Sequence, residues 1–372
     1  MMVGTLFSAV DAAPATAPAP TGLEDLAGRA SRALGEFIDR QALLLTALSP
    51  DLRSAGAALR EAILAGGKRL RPAFCYWGWR AAGGPADSPS IVTAAAGLEL
   101  LHAGALIHDD IMDSSDTRRG RPAAHRRLAA EHTAAGFRGS PDTYGTAAAI
   151  LLGDWSMAWC DEMVGSCGLP EARLRPARLL LRTVHTELIA GQYLDLVEQA
   201  RGGGSLERAR TVIRYKAAKY TIERPMQLGA LLAGADPGVL AACTSFALPL
   251  GEAFQLRDDV LGVFGEPATT GKPAGDDLRE GKATMLVELA RRHATTSQRM
   301  TVDRLLGDPT LDENGVQTLR SLIEDTGALA AVEALIDDHT DAATRVLASA
   351  PFTERAKQAL AQLAFAATVR TA

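Results

Sequence analysis

An apolar, helix-compatible run that ends abruptly in acidic residues constrains this chain more than any other feature. The segment Leu98–Ile107 is almost entirely apolar and is followed by Asp109, Asp110 and Asp113. Asp109 and Asp113 are four residues apart, so on a helix both carboxylates project from one face. Like charges this close repel unless a cation lies between them, and bare charge at the end of a core helix is costly. Hard oxygen ligands favour Mg²⁺, which adds water and phosphate oxygens to one or two carboxylates.

A basic turn with Arg118, Arg119 and Arg121 follows these acids directly. Guanidinium groups bind phosphate oxygens bidentately, so carboxylates followed by arginines predict a metal-bridged diphosphate site. An isolated motif of this kind is more often a solvated helix end. Here the apolar run before the acids favours the site.

The overall composition is that of a globular protein: 372 residues, 47% hydrophobic and 22% charged, with a net charge of −5. An acidic balance predicts no general nucleic-acid-binding surface. The four cysteines, Cys75, Cys160, Cys167 and Cys243, lack the spacing of metal ligands. We interpret them as buried thiols in a reducing compartment, the cytoplasm.

Two predictions concern the ends and the environment of the chain. Residues 1–21 are rich in Ala and Pro and are predicted to be a disordered tail without the features of a secretory signal. No apolar run in the sequence reaches the roughly 18 residues that suggest a membrane span, so no span is predicted.

The rest of the chain, residues 22–372, carries helical rather than alternating periodicity, and runs of strand-forming residues are missing. This pattern predicts an all-α fold, a large single-domain helical bundle. Within it, Leu128–Tyr144 reads as a polar connection with glycine and proline breakers. Pro225 and Pro249 are predicted to kink the helices that contain them.

A second acidic site ends a later apolar run, where Asp258 and Asp259 close the sequence FQLRDD. Two acid-tipped helices that face each other across a cavity could hold several metal ions around one diphosphate. Two lysine-bearing loops add cations. GGKRLRP carries Lys68 and Arg71 at a helix start, and TGKPAGDD precedes Lys282. Each loop alone would be a solvated turn, but together with the acids they predict a cavity for two diphosphates.

The motifs GGKRLRP, LLHAGALIHDDIMDSSDTRRGRP, GQYLDL, FQLRDD and TGKPAGDDLREGK, in this order, resemble those of the trans-isoprenyl diphosphate synthases. This polyprenyl synthetase family includes farnesyl and geranylgeranyl diphosphate synthases. The resemblance, from about Leu26 onward, implies an all-α homodimer of the isoprenoid synthase type with a central active-site cavity in each subunit. It also implies a prenyltransferase that condenses isopentenyl diphosphate with dimethylallyl, geranyl or farnesyl diphosphate. The steps would be ionisation, condensation and elimination, with about three Mg²⁺ ions per site.

The resemblance also implies residue roles. The metal ligands would be Asp109, Asp113 and Asp258. The catalytic residues would be Asp109, Asp110, Asp113, Asp258, Asp259, Arg118 and Lys216. Isopentenyl diphosphate would bind to Lys68, Arg71, His102 and Arg119. The allylic diphosphate would bind to Arg118, Lys216, Gln255, Lys272 and Lys282. A further cavity-lining motif is matched by Gln192 and Asp195.

The chain departs from the family pattern in three places. Gly262 stands where the second acidic motif usually has a third aspartate, which predicts looser metal binding. Ala217 follows Lys216 where the family often has Ser or Thr, so one hydroxyl contact is lost. The connection between Arg127 and Gly145 is long for the family.

In this family, side chains upstream of the first acidic motif form the floor of the cavity that receives the growing chain. The corresponding positions here are Leu101, Gly104 and Ala105. Because bulky aromatics are missing there, we predict an open floor and the twenty-carbon product geranylgeranyl diphosphate. A farnesyl product or a longer prenyl chain is the alternative.

Two rivals are weaker. A class I terpene cyclase would need a second metal motif of Asn/Asp, Ser/Thr and Glu, and it would have little use for Lys68, Arg71 and Arg119. A non-catalytic regulatory subunit should have lost acids or cations that this chain keeps, and its only support is Gly262 and Ala217.

Overall fold

The computed structural model describes residues 23–265, 275–308 and 310–368. Almost all of these residues are helical, which confirms the predicted all-α fold. The predicted tail, residues 1–21, and Lys272 lie outside the described residues.

The helices follow one another through the described chain with short connections. The first ten are α1 Leu23–Leu48, α2 Arg53–Leu64, α3 Leu70–Ala81, α4 Pro89–Met112, α5 Ala124–Ala134, α6 Pro141–Gly165, α7 Glu171–Arg201, α8 Leu206–Val212, α9 Arg224–Ala233 and α10 Pro237–Phe264. The last six are α11 Asp276–Arg279, α12 Met285–His293, α13 Thr296–Leu305, α14 Glu313–Asp325, α15 Ala328–Ser349 and α16 Glu354–Thr368. A 3₁₀ turn, Pro50–Leu52, precedes α2, and a π-helical segment, Ile213–Glu223, joins α8 to α9.

The helical periodicity of the sequence reappears as burial. In α1, Leu26, Ala30, Leu34 and Ile38 recur at helical spacing and are all buried. Residues at the helix ends also follow the usual capping preferences. α10, for example, begins with Pro237 after Asp236, whose carboxylate accepts hydrogen bonds from two amides of the first turn.

The two acid-tipped helices, α4 and α10, are the core of the bundle. Both are long and apolar enough to cross a membrane, but 67% of the apolar window of α4 and 56% of that of α10 are buried inside the protein. This burial is typical of core helices. Phe246 and Leu250 of α10 pack in the larger hydrophobic core, whereas Val260 and Val263 pack in the smaller one with the C-terminal helices. The helix α10 therefore connects both cores.

The predicted polar connection over Leu128–Tyr144 is wrong. α5 ends only at Ala134, and α6 begins at Pro141. The buried residues Leu128 and His132 lie one helical turn apart in α5, so helical spacing was present in a segment of low overall hydrophobicity. Only the glycine-containing residues between the two helices form the connection.

Two further local features add detail to the sequence prediction. Strands of two residues each, β1 Thr117–Arg118 and β2 Arg121–Pro122, pair antiparallel around a tight turn. Pro225 lies in the first turn of α9, where a missing amide is tolerated, and the π-helical segment precedes it. Pro249 lies inside the continuous helix α10.

Candidate active site

A cavity of about 530 Å³ lies between α4, α7, the π-helical segment and α10. Both acidic motifs reach it. The predicted site residues that line it are Lys68, Arg71, His102, Ala105, Asp109, Arg118, Gln192, Asp195, Lys216, Gln255, Asp258, Asp259 and Lys282. The predicted residues outside this lining are Leu101, Gly104, Asp110, Asp113 and Arg119.

Asp109 lies at the centre of a polar cluster in this cavity. Its Oδ1 accepts a hydrogen bond from Gln192 at 2.9 Å and lies 3.3 Å from the ammonium of Lys216. Lys216 also lies 2.6 Å from Asp195. Burial opposes ionisation of Asp109, yet Lys216 and Lys282 outweigh it and hold the pKa of this carboxyl below its usual range. The carboxylate is therefore ionised at neutral pH.

Asp113, the second implied metal ligand of the first motif, is buried behind Lys282. The ammonium of Lys282 lies 3.2 Å from Oδ2 of Asp113, 3.4 Å from Asp277 and 2.5 Å from Glu280. Within the described residues, Oδ2 of Asp113 makes no well-aligned hydrogen bond. Burial raises the pKa of Asp113, and the neighbouring Asp109 adds to this rise against the attraction of Lys282. Oδ2 of Asp113 can therefore still act as a ligand to a cation.

Asp110 does not line the cavity and instead supports an arginine. Nε of Arg118 donates a hydrogen bond to Asp110 at 2.8 Å, and a second guanidinium nitrogen contacts the same oxygen. Burial opposes the charge on Arg118, but the Asp110 carboxylate outweighs it and raises the pKa of the guanidinium. Asp110 therefore positions Arg118, which lines the cavity.

The second acidic motif presents Asp258 to the cavity and holds Asp259 deeper. Nε2 of Gln255 donates to Asp259 at 2.8 Å. Burial raises the pKa of Asp259 well above its usual range, and the nearby carboxylates of Asp277 and Asp258 act in the same direction. Of the pair, Asp258 is the one suited to bind a cation directly.

Cations and a histidine form the other end of the cavity. Arg71 donates to the hydroxyl of Thr221 at 2.9 Å and lies 4.2 Å from the centre of the Tyr220 ring. Nδ1 of His102 lies 2.8 Å from the Tyr220 hydroxyl. Burial and the charge of Arg71 lower the pKa of His102 well below its usual value, so the imidazole is neutral. Nε of Arg71 is buried without a hydrogen-bond partner among the described residues. This donor is available to an anion.

The glycine turn before α3 fits an arginine side chain from the first acidic motif. Gly67 has a φ of +128°, and a Cβ there would lie 3.0 Å from a guanidinium nitrogen of Arg119. Arg119 donates to the carbonyl of Gly66. Its own φ of +54° lies in the left-handed region, which non-glycine residues rarely adopt. Arg119 is thereby held against the Gly66–Gly67 turn.

Arg69, although it lies between Lys68 and Arg71 in sequence, is a structural residue. It is buried, donates to Glu99 at 2.6 Å and to the carbonyl of Ile63 at 3.1 Å. It does not line the cavity. Of the three cations of GGKRLRP, only Lys68 and Arg71 therefore line the cavity.

Close helix packing explains the motif GQYLDL. A Cβ on Gly191 would lie 2.4 Å from the backbone nitrogen of Lys216, so only glycine allows α7 to approach the π-helical segment this closely. This approach brings Gln192 and Asp195 next to Lys216. The π-helical segment in turn directs Tyr220 into the cavity.

The three predicted floor positions differ in orientation. Ala105 lines the cavity. Gly104 faces α6, because a Cβ there would lie 2.8 Å from the carbonyl oxygen of Gly153 and 2.9 Å from Met157. Leu101 lines a narrow void behind Tyr220.

The arrangement fits a divalent cation that also binds phosphate. Within the described residues, no three carboxylate, histidine or cysteine side chains converge into a ready metal site. Instead, Asp109 and Asp113 each have an ammonium neighbour, which suits Mg²⁺ that takes few protein ligands and completes its shell with phosphate. Tyr220, Thr221, Asp277 and Glu280 were not assigned roles from the sequence. Asp277 and Glu280 lie inside the quoted motif TGKPAGDDLREGK, whereas Tyr220 and Thr221 lie in none.

The fold and the cavity define a helical, metal-dependent enzyme that binds diphosphates. The model of the family described as polyprenyl synthetase matches residues 54–323, and the chain belongs to this family. It is 32% identical over 330 residues to the geranylfarnesyl diphosphate synthase of Aeropyrum pernix, covering 88% of this chain and 96% of that one. It is 34% identical over 273 residues to the (2E,6E)-farnesyl diphosphate synthase of Mycobacterium tuberculosis, covering 73% and 67% respectively.

A solved structure supports the same conclusion. The geranylgeranyl pyrophosphate synthase of Corynebacterium glutamicum, complexed with isoprenyl diphosphate and magnesium, superimposes with a TM-score of 0.91 at 39% identity. The match covers 94% of this chain and 99% of that one. The chain is thus a trans-prenyltransferase of a Mg²⁺-dependent family that uses isopentenyl and allylic diphosphates. Because the relatives carry farnesyl, geranylgeranyl and geranylfarnesyl names, they leave the product length open.

Proposed function

We propose that this protein synthesises geranylgeranyl diphosphate by adding isopentenyl diphosphate to an allylic diphosphate. The observation that carries this proposal is the meeting of two acidic helix ends and two groups of cations around one cavity. The small side chain of Ala105 on the cavity wall supports the twenty-carbon length. A terpene cyclase would have no need for the second group of cations.

Isopentenyl diphosphate binds, in this proposal, at the end formed by Lys68, Arg71, His102 and Arg119. Burial keeps the phenol of Tyr220 protonated by raising its pKa, so its O–H can donate to Nδ1 of His102. Nε2 of His102 then carries the proton and donates to a phosphate oxygen. The buried Nε of Arg71, which lacks a partner among the described residues, gains one from the same anion.

The allylic diphosphate binds at the other end, between Asp109, Asp113 and Asp258 as metal ligands. Bound to these carboxylates, Mg²⁺ (about three ions per site) would supply Lewis-acid stabilisation of the departing diphosphate. Lys216, Lys282 and Arg118 turn from carboxylates to phosphate oxygens, with Gln255 beside them. Lys272 is proposed for the same group on the resemblance alone.

Carbon–carbon bond formation needs no side-chain nucleophile. Departure of the allylic diphosphate leaves an allylic cation, which the double bond of isopentenyl diphosphate attacks. This attack leaves a cationic carbon in the isopentenyl unit. The carbon next to it then loses a proton to the released diphosphate, which forms the new double bond. Apolar wall residues such as Leu106, Leu188 and Phe254 exclude water from the cation.

We also propose that the enzyme is a cytoplasmic homodimer. Large apolar side chains are exposed on the neighbouring helices α6 and α7, including Leu151, Leu179 and Ile189 at 56–58% exposure and Tyr193 at 68%. A second copy would cover such a surface. The four buried free thiols support a reducing compartment. Light scattering coupled to gel filtration tests the dimer.

The decisive experiment incubates purified protein with isopentenyl diphosphate and dimethylallyl, geranyl or farnesyl diphosphate, with Mg²⁺ or with chelator. Products are dephosphorylated and identified by mass spectrometry. We expect Mg²⁺-dependent geranylgeraniol from each starter. A fifteen-carbon or a longer product would reject the predicted length while keeping the chemistry. Cyclised hydrocarbon without condensation would favour a cyclase, and no turnover would favour a non-catalytic subunit. The Asp109→Asn variant controls for contaminating activity.

A further inference from the structure

The cavity continues past its wall at Ala105 as the narrow void behind Tyr220. Successive turns of the same helices line the two spaces. On α4, Ala105 lines the cavity, whereas Leu101 and Leu98, one and two turns earlier, line the void. On α7, Leu188 lines the cavity, and Val184, one turn earlier, lines the void. A prenyl chain held by its diphosphate at the acidic end of α4 therefore points toward this void as it grows.

The lining of the void also carries a charge that the cavity does not share. Arg71 lines both spaces, whereas Arg224, in the first turn of α9, lines the void alone. The carboxylate of Glu187 on α7 accepts two hydrogen bonds from Arg224, each of 2.7 Å, and a third from Lys219 at 2.8 Å. The Arg224–Glu187 ion pair thus ties α9 to α7 beside the void.

This ion pair is fixed and stays charged at neutral pH. The side chains of Arg224 and Glu187 are only 14% and 15% exposed, and Arg224 also donates to Gln227 at 2.6 Å. Burial opposes the charge on Arg224, but its hydrogen bonds to Glu187 and the nearby Glu223 outweigh it and raise the pKa of the guanidinium. Burial likewise opposes ionisation of Glu187, but Arg224 and Lys219 hold the pKa of this carboxyl below its usual range.

We propose that the Arg224–Glu187 ion pair limits product length by closing the void to an apolar chain. This inference rests on the proposed function, in which the chain grows away from the acidic end of α4. A chain that extended beyond Leu101 and Val184 would lie against the Arg224 guanidinium or push it away from Glu187. Either leaves a buried charge poorly paired, which is costly. Ala105 lets the chain leave the cavity, and the ion pair sets how far it continues.

The test compares the products of the original protein and of the double variant Arg224→Met, Glu187→Leu. Both are incubated for long times with Mg²⁺, an allylic starter and excess isopentenyl diphosphate. Because both charges are removed, neither remains buried alone, and Lys219 and Glu223, 4.0 Å apart, still form a pair. The main product, identified by mass spectrometry after dephosphorylation, should lengthen by at least one isoprene unit.

A matched control removes an ion pair elsewhere on the same helix. The double variant Glu171→Leu, Arg178→Met removes a pair of 2.9 Å near the start of α7 that lines neither the cavity nor the void. Its product should keep the original length. Thermal unfolding establishes that each variant is folded.

Two single variants separate the charge of Arg224 from its size. Arg224→Met and Arg224→Lys have side chains of similar length, and only the second keeps a cation beside Glu187. Arg224→Met should lengthen the product and Arg224→Lys should keep it, and these two variants decide the question if the double variant does not fold. The original product length in Arg224→Met, or equal lengthening by both single variants, would overturn the proposal. The proposed function fails separately, if the original protein forms no condensation product.

Discussion

The ammonium of Lys282 lies 3.2 Å from Oδ2 of Asp113, so a proposed diphosphate ligand pairs with a proposed metal ligand. Lys216 and Asp109 repeat this relationship at 3.3 Å. Mg²⁺ alone would bring a divalent charge next to these buried ammonium groups, which Asp195 and Glu280 still hold nearby, and the repulsion is costly. A diphosphate gives them new partners. Metal and diphosphate should therefore bind together more favourably than either does alone.

The first prediction tests this coupling. Inorganic diphosphate should tighten Mg²⁺ binding to the original protein by about tenfold or more, and Lys282→Met should reduce that factor. Calorimetric titration of Mg²⁺ with and without diphosphate measures it. Lys357→Met, which removes a lysine on α16, is the matched control. An unchanged coupling factor in Lys282→Met would contradict the interpretation.

The second prediction separates two adjacent aspartates. Asp109→Asn removes a cavity carboxylate and should lower kcat about 10³-fold. Asp110→Asn leaves the cavity lining intact but weakens the hold on Arg118, so its loss should be smaller, about 10-fold to 100-fold. Steady-state kinetics at saturating Mg²⁺ compare the two. Equal losses would mean that Asp110 itself contacts the metal or substrate.

The third prediction concerns neighbouring cations with different roles. Arg69→Met leaves Glu99 buried without its charged partner and should destabilise the fold by about 3–5 kcal/mol. Lys68→Met should leave the melting temperature nearly unchanged and raise KM for isopentenyl diphosphate. Denaturant unfolding and kinetics with each variant distinguish them. A stable Arg69→Met variant with a raised KM would show that Arg69 binds substrate.

The sequence could predict the parts of the fold that depend on local patterns, but not those that depend on long-range packing. Strongly amphipathic helices such as α1 and α15 could be predicted because their apolar residues recur at helical spacing. α5 was missed, since its few buried residues pack on α6 and its overall hydrophobicity is low. The π-helical segment has no local signature that distinguishes it from an α-helix, and its geometry depends on packing against α7 and α10.

The candidate site shows the same limit. The two acidic motifs predicted that Asp109 and Asp258 share one cavity, and the resemblance to the family added Lys216. The sequence could not show that the Asp277 carboxylate packs against Gly262, since this depends on where α11 returns to α10. Nor could it show that Gly104 faces another helix instead of the cavity.

The fourth prediction concerns the cysteines. Burial raises the pKa of the Cys243 thiol to about 12, and it raises the pKa values of Cys75 and Cys160 further. Thiolates therefore stay scarce in the folded protein as the pH rises from 7 to 9, and a disulfide-exchange reagent should react slowly throughout. All four thiols should react after denaturation. Rapid labelling of the folded protein at pH 8 would contradict the burial.

The fifth prediction is that product length depends strongly on the side chain at position 105 and little on the side chain at position 104. Ala105→Phe places a ring in the cavity and should shift the product to farnesyl diphosphate or shorter, with the fold intact. Gly104→Ala forces a methyl group within 2.8 Å of the Gly153 carbonyl, so it should destabilise the fold by about 1–3 kcal/mol. Because that methyl group points at α6, product length should change little. Mass spectrometry of dephosphorylated products and thermal unfolding measure both effects. Unchanged products from Ala105→Phe would place the floor of the cavity elsewhere.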